Sequence, residues 1–277
     1  MRFATFNVLH GLPIRDGRPA PFPGGAAGKP LVRAVASLDA DVLALQEVDR
    51  FQERSGGVDQ AAAAAAASGA RDWRYATAVH GRWVPGSGWV SDPDEPGMRV
   101  HGPRDAAGDG GPSHGIALLT RLPVREWRAR RLPSSPVGMP LRVPGRAGLK
   151  VMADQPRCAL AAVLEGERGP FTVVAVHLSF VPGWNVGQLL AVRRWIAGLP
   201  RPHLLLGDLN LVGPVPPLVL GGAWRALART RTYPSHRPVV QFDHVLAAGV
   251  GRAAVRSTGA PPLPVSDHRP LVVDLSL

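Results

Sequence analysis

Cysteine is almost absent from this chain of 277 residues, which has Cys158 alone. A single cysteine excludes an intrachain disulfide and any zinc site built from several cysteines. Cys158 begins an apolar, strand-like run. A small buried side chain explains it more simply than a catalytic role does.

Long hydrophobic runs are absent as well. The longest, such as 171–176, have the length of a strand and fall far short of a membrane span. The first residues alternate as a strand does and lack the apolar centre of a signal peptide. We therefore expect a cytoplasmic protein without a transmembrane segment, and a monomer.

Two common nucleotide-binding motifs are missing. Lys29 is followed by Pro30, and position 23 is proline, so the chain has no phosphate-binding P-loop. No Gly-x-Gly-x-x-Gly string opens a helix after a strand. These absences argue against a nucleoside triphosphatase and against a dinucleotide-dependent enzyme.

Lysine is scarce, since Lys29 and Lys150 are the only two, and the net charge of +11 comes almost wholly from arginine. The arginines are scattered along the chain and do not form a cluster. This basicity favours a polyanionic or phosphorylated partner, but a solvated surface explains it equally well.

Apolar runs of strand length recur along the chain, at 2–8, 41–46, 73–79, 115–120, 158–164, 171–178, 203–206, 241–247 and 271–275. Helix patterns lie between some of them, at 30–38, 59–68 and 185–199. Strands outnumber helices, and strand pairs alternate with helical crossovers, which favours an α/β fold with two packed sheets. No stretch resembles a linker, so residues 1–277 are predicted to form a single domain.

Two Gly- and Pro-rich segments, 10–28 and 81–112, are predicted to be irregular. The second is a long insertion that contains Trp83, Trp89 and several basic residues. A structureless loop of that length is usually functional or disordered. We expect it to rim a substrate site, with simple disorder as the alternative.

Glu47 follows the apolar run 41–46, where a carboxylate is costly unless it is paired or bound to a cation. A hard oxygen ligand of this kind suits Mg²⁺ or Mn²⁺. The alternative is an ion pair with Arg50 or Arg54.

Asp208 and Asn210 alternate after the run 204–206, so both side chains point to the same side. The carboxylate can accept a proton from water, and the carboxamide can donate to a phosphoryl oxygen. The alternative is a turn in which the Asp208 side chain binds the local backbone.

Asp267-His268 precedes the last strand-like run. His268 could act as a general base, or in its protonated form neutralise phosphate charge. It needs a carboxylate to fix its tautomer, and Asp243 is a candidate. His177 follows an apolar run, where a lone histidine is more often a satisfied core residue, so its significance depends on the other motifs.

Seven fragments occur in a fixed order: Thr5-Phe6-Asn7, Leu45-Gln46-Glu47-Val48, 115–124, Val176-His177-Leu178, Gly207-Asp208-Leu209-Asn210, 242–245 and 266–270. This series resembles the endonuclease/exonuclease/phosphatase superfamily, which includes deoxyribonuclease I and the inositol-polyphosphate 5-phosphatases. The match extends from residue 5 to residue 270. The run 47–60 resembles generic bacterial members more than abasic-site nucleases.

The resemblance implies a deoxyribonuclease I-like fold, a four-layer α/β/β/α sandwich of two packed mixed sheets flanked by helices. The site would lie at the mouth between the sheets. By the same resemblance, Asn7 and Glu47 would hold Mg²⁺ or Mn²⁺, with Asp267 nearby.

The resemblance also implies roles in catalysis. Asp208 would orient or deprotonate the attacking water, and Asn210 and His177 would contact the phosphoryl oxygens. His268 would be the general base or would stabilise the phosphate, oriented by Asp243. Which of Asp208 and His268 takes the proton stays open.

A metal-dependent phosphodiesterase, nuclease or phosphatase is therefore expected. Its phosphorylated substrate could be a nucleic acid, a lipid headgroup, an inositol phosphate or another small phosphate. The alternative is a non-catalytic phosphate- or nucleic-acid-binding scaffold on the same fold. A scaffold would be expected to have lost one of the site residues, and all of them are present.

Overall fold

The computed structural model describes residues 1–21, 28–94, 97–105, 110–142 and 148–277. The helices are α1 (Lys29–Leu38), α2 (Gln60–Ser68), α3 (Trp184–Trp195) and α4 (Val215–Leu220). The strands are β1 (Arg2–Asn7), β2 (Ile14–Arg15), β3 (Arg18–Pro19), β4 (Val42–Arg50), β5 (Asp72–Val84), β6 (Gly88–Ser91), β7 (Val100–His101), β8 (Ser113–Thr120), β9 (Val124–Leu132), β10 (Met139–Arg142), β11 (Leu149–Met152), β12 (Arg157–Gly166), β13 (Gly169–His177), β14 (His203–Asp208), β15 (Trp224–Ala226), β16 (Asp243–Ala248), β17 (Val255–Gly259) and β18 (Leu271–Leu275).

Two mixed sheets form the centre of the protein. The first has the strand order β17-β18-β1-β4-β8-β5-β6, with β7 paired to β5, and the second has the order β15-β16-β14-β13-β12-β9. Helices α1 and α2 cover the outer face of the first sheet, and α3 and α4 cover the outer face of the second. The predicted four-layer α/β/β/α sandwich is confirmed.

Apolar side chains fill each of the three spaces between these layers. Phe3 and Phe171 meet edge to face between the sheets, with ring centroids 6.2 Å apart. Leu31 of α1 packs on the first sheet, and Leu189 of α3 packs on the second. All four side chains are almost completely buried, and each contributes about 1.5–3 kcal/mol through removal from water. The sheets are thereby fixed against one another.

The strand directions place the polar strand ends on one edge of the sandwich. Strand β1 runs parallel to β4, and β13 runs parallel to β14, so their carboxyl ends lie side by side. Gly207 allows β13 and β14 to approach, since a Cβ there would lie 1.8 Å from the Val176 carbonyl oxygen. A larger residue at 207 would push apart the strands that carry His177 and Asp208.

The prediction of irregular structure at 81–112 is wrong for residues 81–84, 88–91 and 100–101, which form strands. Strand β5 continues to Val84 and forms a hairpin with β6, in which Trp83 pairs with Trp89. Strand β7 adds to β5 further along. Aromatic cross-strand pairs stabilise such hairpins. The Gly- and Pro-rich composition of this segment gave no indication of such a pair. The segment 10–28 contains the short pair β2–β3, and residues 22–27 lie outside the described part.

Several strands were not predicted. Strand β9 is rich in arginine and forms an edge of the second sheet, where charged side chains remain in solvent. Its sequence therefore lacks the apolar run that marks a central strand. Among the described residues, no helix has the length and apolar character needed to cross a bilayer.

Candidate functional site

Three of the predicted site residues are direct neighbours across the second sheet. The register pairs His177 of β13 with Asp208 of β14, and Asp208 with Asp243 of β16. Asn7, at the end of β1, reaches across from the first sheet and donates from Nδ2 to Asp208 Oδ2 at 3.0 Å. These predicted site residues therefore converge between the two sheets.

Asp208 is the centre of this arrangement and is almost completely buried. Its Oδ1 accepts the backbone N–H of Asn210 at 2.9 Å, which is the predicted local turn. Its Oδ2 accepts from Asn7 and lies 3.7 Å from His177 Nε2 and 3.8 Å from His268 Nε2. The turn and the proposed chemistry are therefore compatible, because each uses a different oxygen.

His268 is held by Asp243. Its Nδ1 donates to Asp243 Oδ2 at 2.8 Å, and that oxygen also accepts the Thr232 hydroxyl at 2.5 Å. Burial lowers the pKa of His268, but the neighbouring carboxylates of Asp243 and Asp208 outweigh burial and raise it well above its usual value. Burial raises the pKa of Asp208, although the His268 imidazolium opposes this. The two carboxylates therefore favour the imidazolium form of His268.

His177 and Asn210 lie on the other side of Asp208. Arg157 Nη1 lies 3.2 Å from both ring nitrogens of His177, and Asn210 Nδ2 lies 3.4 Å from His177 Nε2. Burial is the main cause that lowers the pKa of His177 well below its usual value, and the positive charge of Arg157 lowers it further. Asn210 Nδ2 also donates to the Leu178 carbonyl at 3.0 Å. A neutral imidazole and a carboxamide therefore line this side.

Glu47 lies in a bulge of β4, and not at a strand end as its sequence position suggested. Gln46 and Glu47 together oppose a single residue of β8, and Glu47 has a left-handed φ of 56°. Bulges and positive φ at a non-glycine residue concentrate at functional sites. The alternative ion pair is wrong, since Arg50 pairs with Asp59 and Arg54 with Asp49.

The Glu47 carboxylate accepts from Asn7 Nδ2 at 2.9 Å. Burial alone would raise the pKa of Glu47, but the imidazoles of His177 and His114 and this hydrogen bond lower it to about 2. At neutral pH, where His177 is uncharged, the Asn7 hydrogen bond continues to favour the carboxylate. Glu47 is therefore negatively charged and half-buried.

Asn7 presents its amide hydrogens to Glu47 and Asp208, while its Oδ1 accepts the Leu9 N–H at 3.1 Å. In this orientation Asn7 positions the two carboxylates. Direct coordination of a cation beside Glu47 would require the amide to rotate, because only Oδ1 can be a ligand. The ligand role of Asn7 stays a prediction.

Asp267 completes the acidic side of the site. Burial raises the pKa of Asp267, and the negative charge of Glu47 adds to this shift against the opposing effect of His268. Glu47 and Asp267 are two half-buried carboxylates that destabilise each other's charge, and they offer only oxygen atoms as ligands. Such a pair fits a hard divalent cation. Asp208, Asp243 and His268 form a second group whose ligand atoms lie within 4.8 Å of one another. In that group Nδ1 of His268 is already engaged by Asp243.

Sequence reasoning missed the residues that support the site. Thr232 binds Asp243, and Ser266 Oγ donates to the Asn7 carbonyl at 2.6 Å while accepting the His268 N–H at 3.0 Å. Both lie in loops with no repeating pattern. Of the two, only Ser266 could have been found from the sequence, because it lies in the fragment 266–270.

Residues 111–115 form a Gly-x-Ser-x-Gly string, but they do not form a nucleophile elbow. Ser113 begins β8, is buried, and shares a hydrogen bond of 3.2 Å with the Tyr75 hydroxyl. An elbow needs an exposed serine at a turn from strand to helix. The position of Ser113 therefore argues against serine-hydrolase chemistry.

Residues 4–268 match the model of the endonuclease/exonuclease/phosphatase family. The chain belongs to this family. The family is one of phosphoesterases, and it comprises nucleases and phosphatases. No curated protein has a significantly similar sequence.

Several solved structures have a similar fold. An endonuclease/exonuclease/phosphatase from Beutenbergia cavernae is 22% identical with a TM-score of 0.60, covering 100% of this chain and 71% of its own. A mannosyl-6-phosphatase from Bacteroides thetaiotaomicron is 16% identical with a TM-score of 0.58, and all of both chains is covered. A 3' phosphatase from Neisseria, bound to a product DNA hairpin, is 15% identical with a TM-score of 0.54, again over all of both chains.

Proposed function

We propose that this protein hydrolyses phosphate esters with the help of a divalent cation, Mg²⁺ or Mn²⁺. The observation that carries the proposal is the convergence on Asp208 Oδ2 of Asn7 Nδ2 at 3.0 Å, His177 Nε2 at 3.7 Å and His268 Nε2 at 3.8 Å. Membership in a family of nucleases and phosphatases supports the same chemistry.

Asp208 is the proposed base. Burial raises its pKa, and a carboxylate with a raised pKa accepts a proton from water more readily. Its Oδ1 is engaged by the Asn210 N–H, which leaves Oδ2 to orient the water and take its proton. In the orientation that the structure shows, Asn7 holds Oδ2 in place through the hydrogen bond from Nδ2.

His268 is proposed to act as the cation that faces the phosphate. It is an imidazolium at neutral pH, since Asp243 and Asp208 raise its pKa against the effect of burial. In that state it cannot accept the proton of water, but its Nε2–H can donate to a phosphoryl oxygen. His177 and Asn210, on the other side of Asp208, would contact the remaining phosphoryl oxygens.

Glu47 and Asp267 would hold the cation, with Asn7 as a further ligand after rotation of its amide. When bound, Mg²⁺ or Mn²⁺ supplies a Lewis acid for the phosphoryl oxygens and the leaving group. The donor set favours these ions, because carboxylate and carboxamide oxygens are the ligands that they prefer.

Purified protein should hydrolyse at least one phosphate ester in the presence of Mg²⁺ or Mn²⁺, and activity should disappear in excess EDTA and return with the metal. The measurement is a comparison of plasmid DNA, single-stranded DNA, RNA, inositol phosphates and bis-p-nitrophenyl phosphate. Binding of these compounds without any turnover would favour the non-catalytic scaffold instead.

Asp243→Asn should shift the pH dependence of kcat/KM. The substitution removes the carboxylate that raises the pKa of His268, so the imidazolium loses its proton at a lower pH. Because the protonated form is the active one, the alkaline limb of the profile should move to lower pH. The rate at neutral pH should fall by about tenfold, a milder loss than that of a catalytic group.

A pH–rate profile of wild type and variant tests this prediction. Thr232→Val is the matched control, since it removes a hydrogen bond to Asp243 but no charge. An unshifted alkaline limb in Asp243→Asn would show that His268 is not the protonated group that faces the phosphate.

A further inference from the structure

A groove of about 600 Å³ adjoins the site, between the β5–β6 hairpin and the segment 150–156. Trp83 and Trp89 lie on one wall, and Lys150 and Met152 lie on the other. A small cleft lined by His114 and His177 shares residues 155 and 156 with the groove. The groove has the volume of a ligand pocket. The cleft beside it is lined by His177, which pairs with Asp208 across the second sheet.

The hairpin wall is fixed in position by Gln52. The buried Gln52 side chain donates from Nε2 to the Gly81 carbonyl at 2.7 Å and accepts the Trp83 N–H at 3.0 Å. Gly81 permits the close crossing of β5 and β6, because a Cβ there would lie 2.1 Å from the Val90 carbonyl oxygen. The tryptophans are thus held on a pre-formed surface.

Arg54 connects this wall to the site. Its guanidinium donates two hydrogen bonds of 2.8 Å to the buried Asp49, and its Cζ lies 4.9 Å from the Trp89 ring centroid and 5.2 Å from that of Trp83. Asp49 also binds His114 Nδ1 at 2.7 Å. The eight residues from Glu47 to Arg54 therefore carry a proposed metal ligand and the side chains that position the aromatic wall.

We propose that this groove binds the bases of a single-stranded nucleic acid whose phosphodiester occupies the site, an inference that rests on the proposed function. Trp83 and Trp89 are half-exposed and line the groove, so they can stack on bases that are not paired. Lys150 is exposed on the opposite wall, where it can meet a backbone phosphate. Aromatic rings on which bases can stack, together with a basic side chain that can meet the backbone, are features by which single strands are bound without sequence preference.

The experiment measures binding in EDTA, where no hydrolysis is needed. Two fluorescent oligonucleotides of equal length and charge are compared by anisotropy, one of thymidine and one whose sugars lack bases. Wild-type protein should bind the thymidine strand about five- to 150-fold more tightly for each base that stacks, which corresponds to roughly 1–3 kcal/mol per base. Equal affinity for the two strands would overturn the proposal.

Variants of the groove residues test whether the groove causes the preference for the thymidine strand. Trp83→Ala and Trp89→Ala should each reduce the preference for the thymidine strand, and Trp89→Phe should restore most of it. Val90→Ala is the matched control, because Val90 is exposed on the same hairpin and does not line the groove. Lys150→Met should weaken binding of both strands equally, as a phosphate contact requires. Alanine variants that fold and keep the full preference would contradict the role of the tryptophans.

Two further results separate this inference from the proposed function. A base preference in a protein that hydrolyses no phosphate ester would support the groove and contradict the proposed function. Hydrolysis of bis-p-nitrophenyl phosphate by a protein without base preference would do the reverse. Binding to phosphatidylglycerol vesicles in place of either oligonucleotide would assign the groove to lipid and would also overturn the proposal.

Discussion

Asp208→Asn should lower kcat on a phosphodiester by about 10²–10⁴-fold, because it removes the proposed proton acceptor. The substitution keeps the size of the side chain and an oxygen that can accept the Asn210 N–H, so the local turn should persist. Burial disfavours the charge of Asp208, as its raised pKa indicates. The new amide group would face Asn7 Nδ2, which loses its acceptor, so the free energy of unfolding should fall by about 1–3 kcal/mol.

Single-turnover kinetics with bis-p-nitrophenyl phosphate and a thermal melt check this prediction together. Asp274→Asn is the matched control, since Asp274 of β18 makes a surface ion pair with Arg2 of β1. Loss of this exposed pair should affect neither the rate nor the fold measurably. Near-normal turnover in Asp208→Asn would exclude Asp208 as the base and return His268 to that role. A large loss of stability would instead make the rate uninformative, and Asp208→Ser would then be needed.

The central strands could be predicted because they are continuous apolar runs, whereas the four-layer arrangement was expected from the resemblance to the family. Strands such as β13 and β14 are buried on both faces, and this burial requires an uninterrupted run. Some of the candidate site residues could be singled out for a related reason. His177 and Asp208 are polar residues at the ends of such runs, and the cost of burying them demands a function or a partner.

Other features depend on contacts between residues distant in sequence. The bulge at Glu47 arises from the register with β8, and the register is not encoded by the residues around Glu47 alone. Thr232 reaches Asp243 from a loop whose path is set by the surrounding fold. The β5–β6 hairpin depends on Gln52, about 30 residues upstream, which holds Trp83 through its backbone. None of these contacts leaves a periodic pattern in the sequence.

Glu47→Gln should reduce both metal binding and catalysis. The carboxylate has its pKa lowered to about 2, so the substitution removes a full negative charge at every pH near neutrality. A neutral amide is a much weaker ligand for a hard cation. Loss of a cation's stabilisation of phosphoryl charge costs several kcal/mol, or about a thousandfold in kcat/KM.

Isothermal titration with Mn²⁺, without substrate, measures the binding directly and does not depend on which ester is hydrolysed. Glu53→Gln is the matched control, because Glu53 is exposed a few residues further along and undergoes the same chemical change. Glu47→Gln should bind Mn²⁺ at least about tenfold more weakly than wild type, with the control unchanged. Wild-type Mn²⁺ affinity in Glu47→Gln would place the cation elsewhere, and the group of Asp208, Asp243 and His268 would become the next site to test.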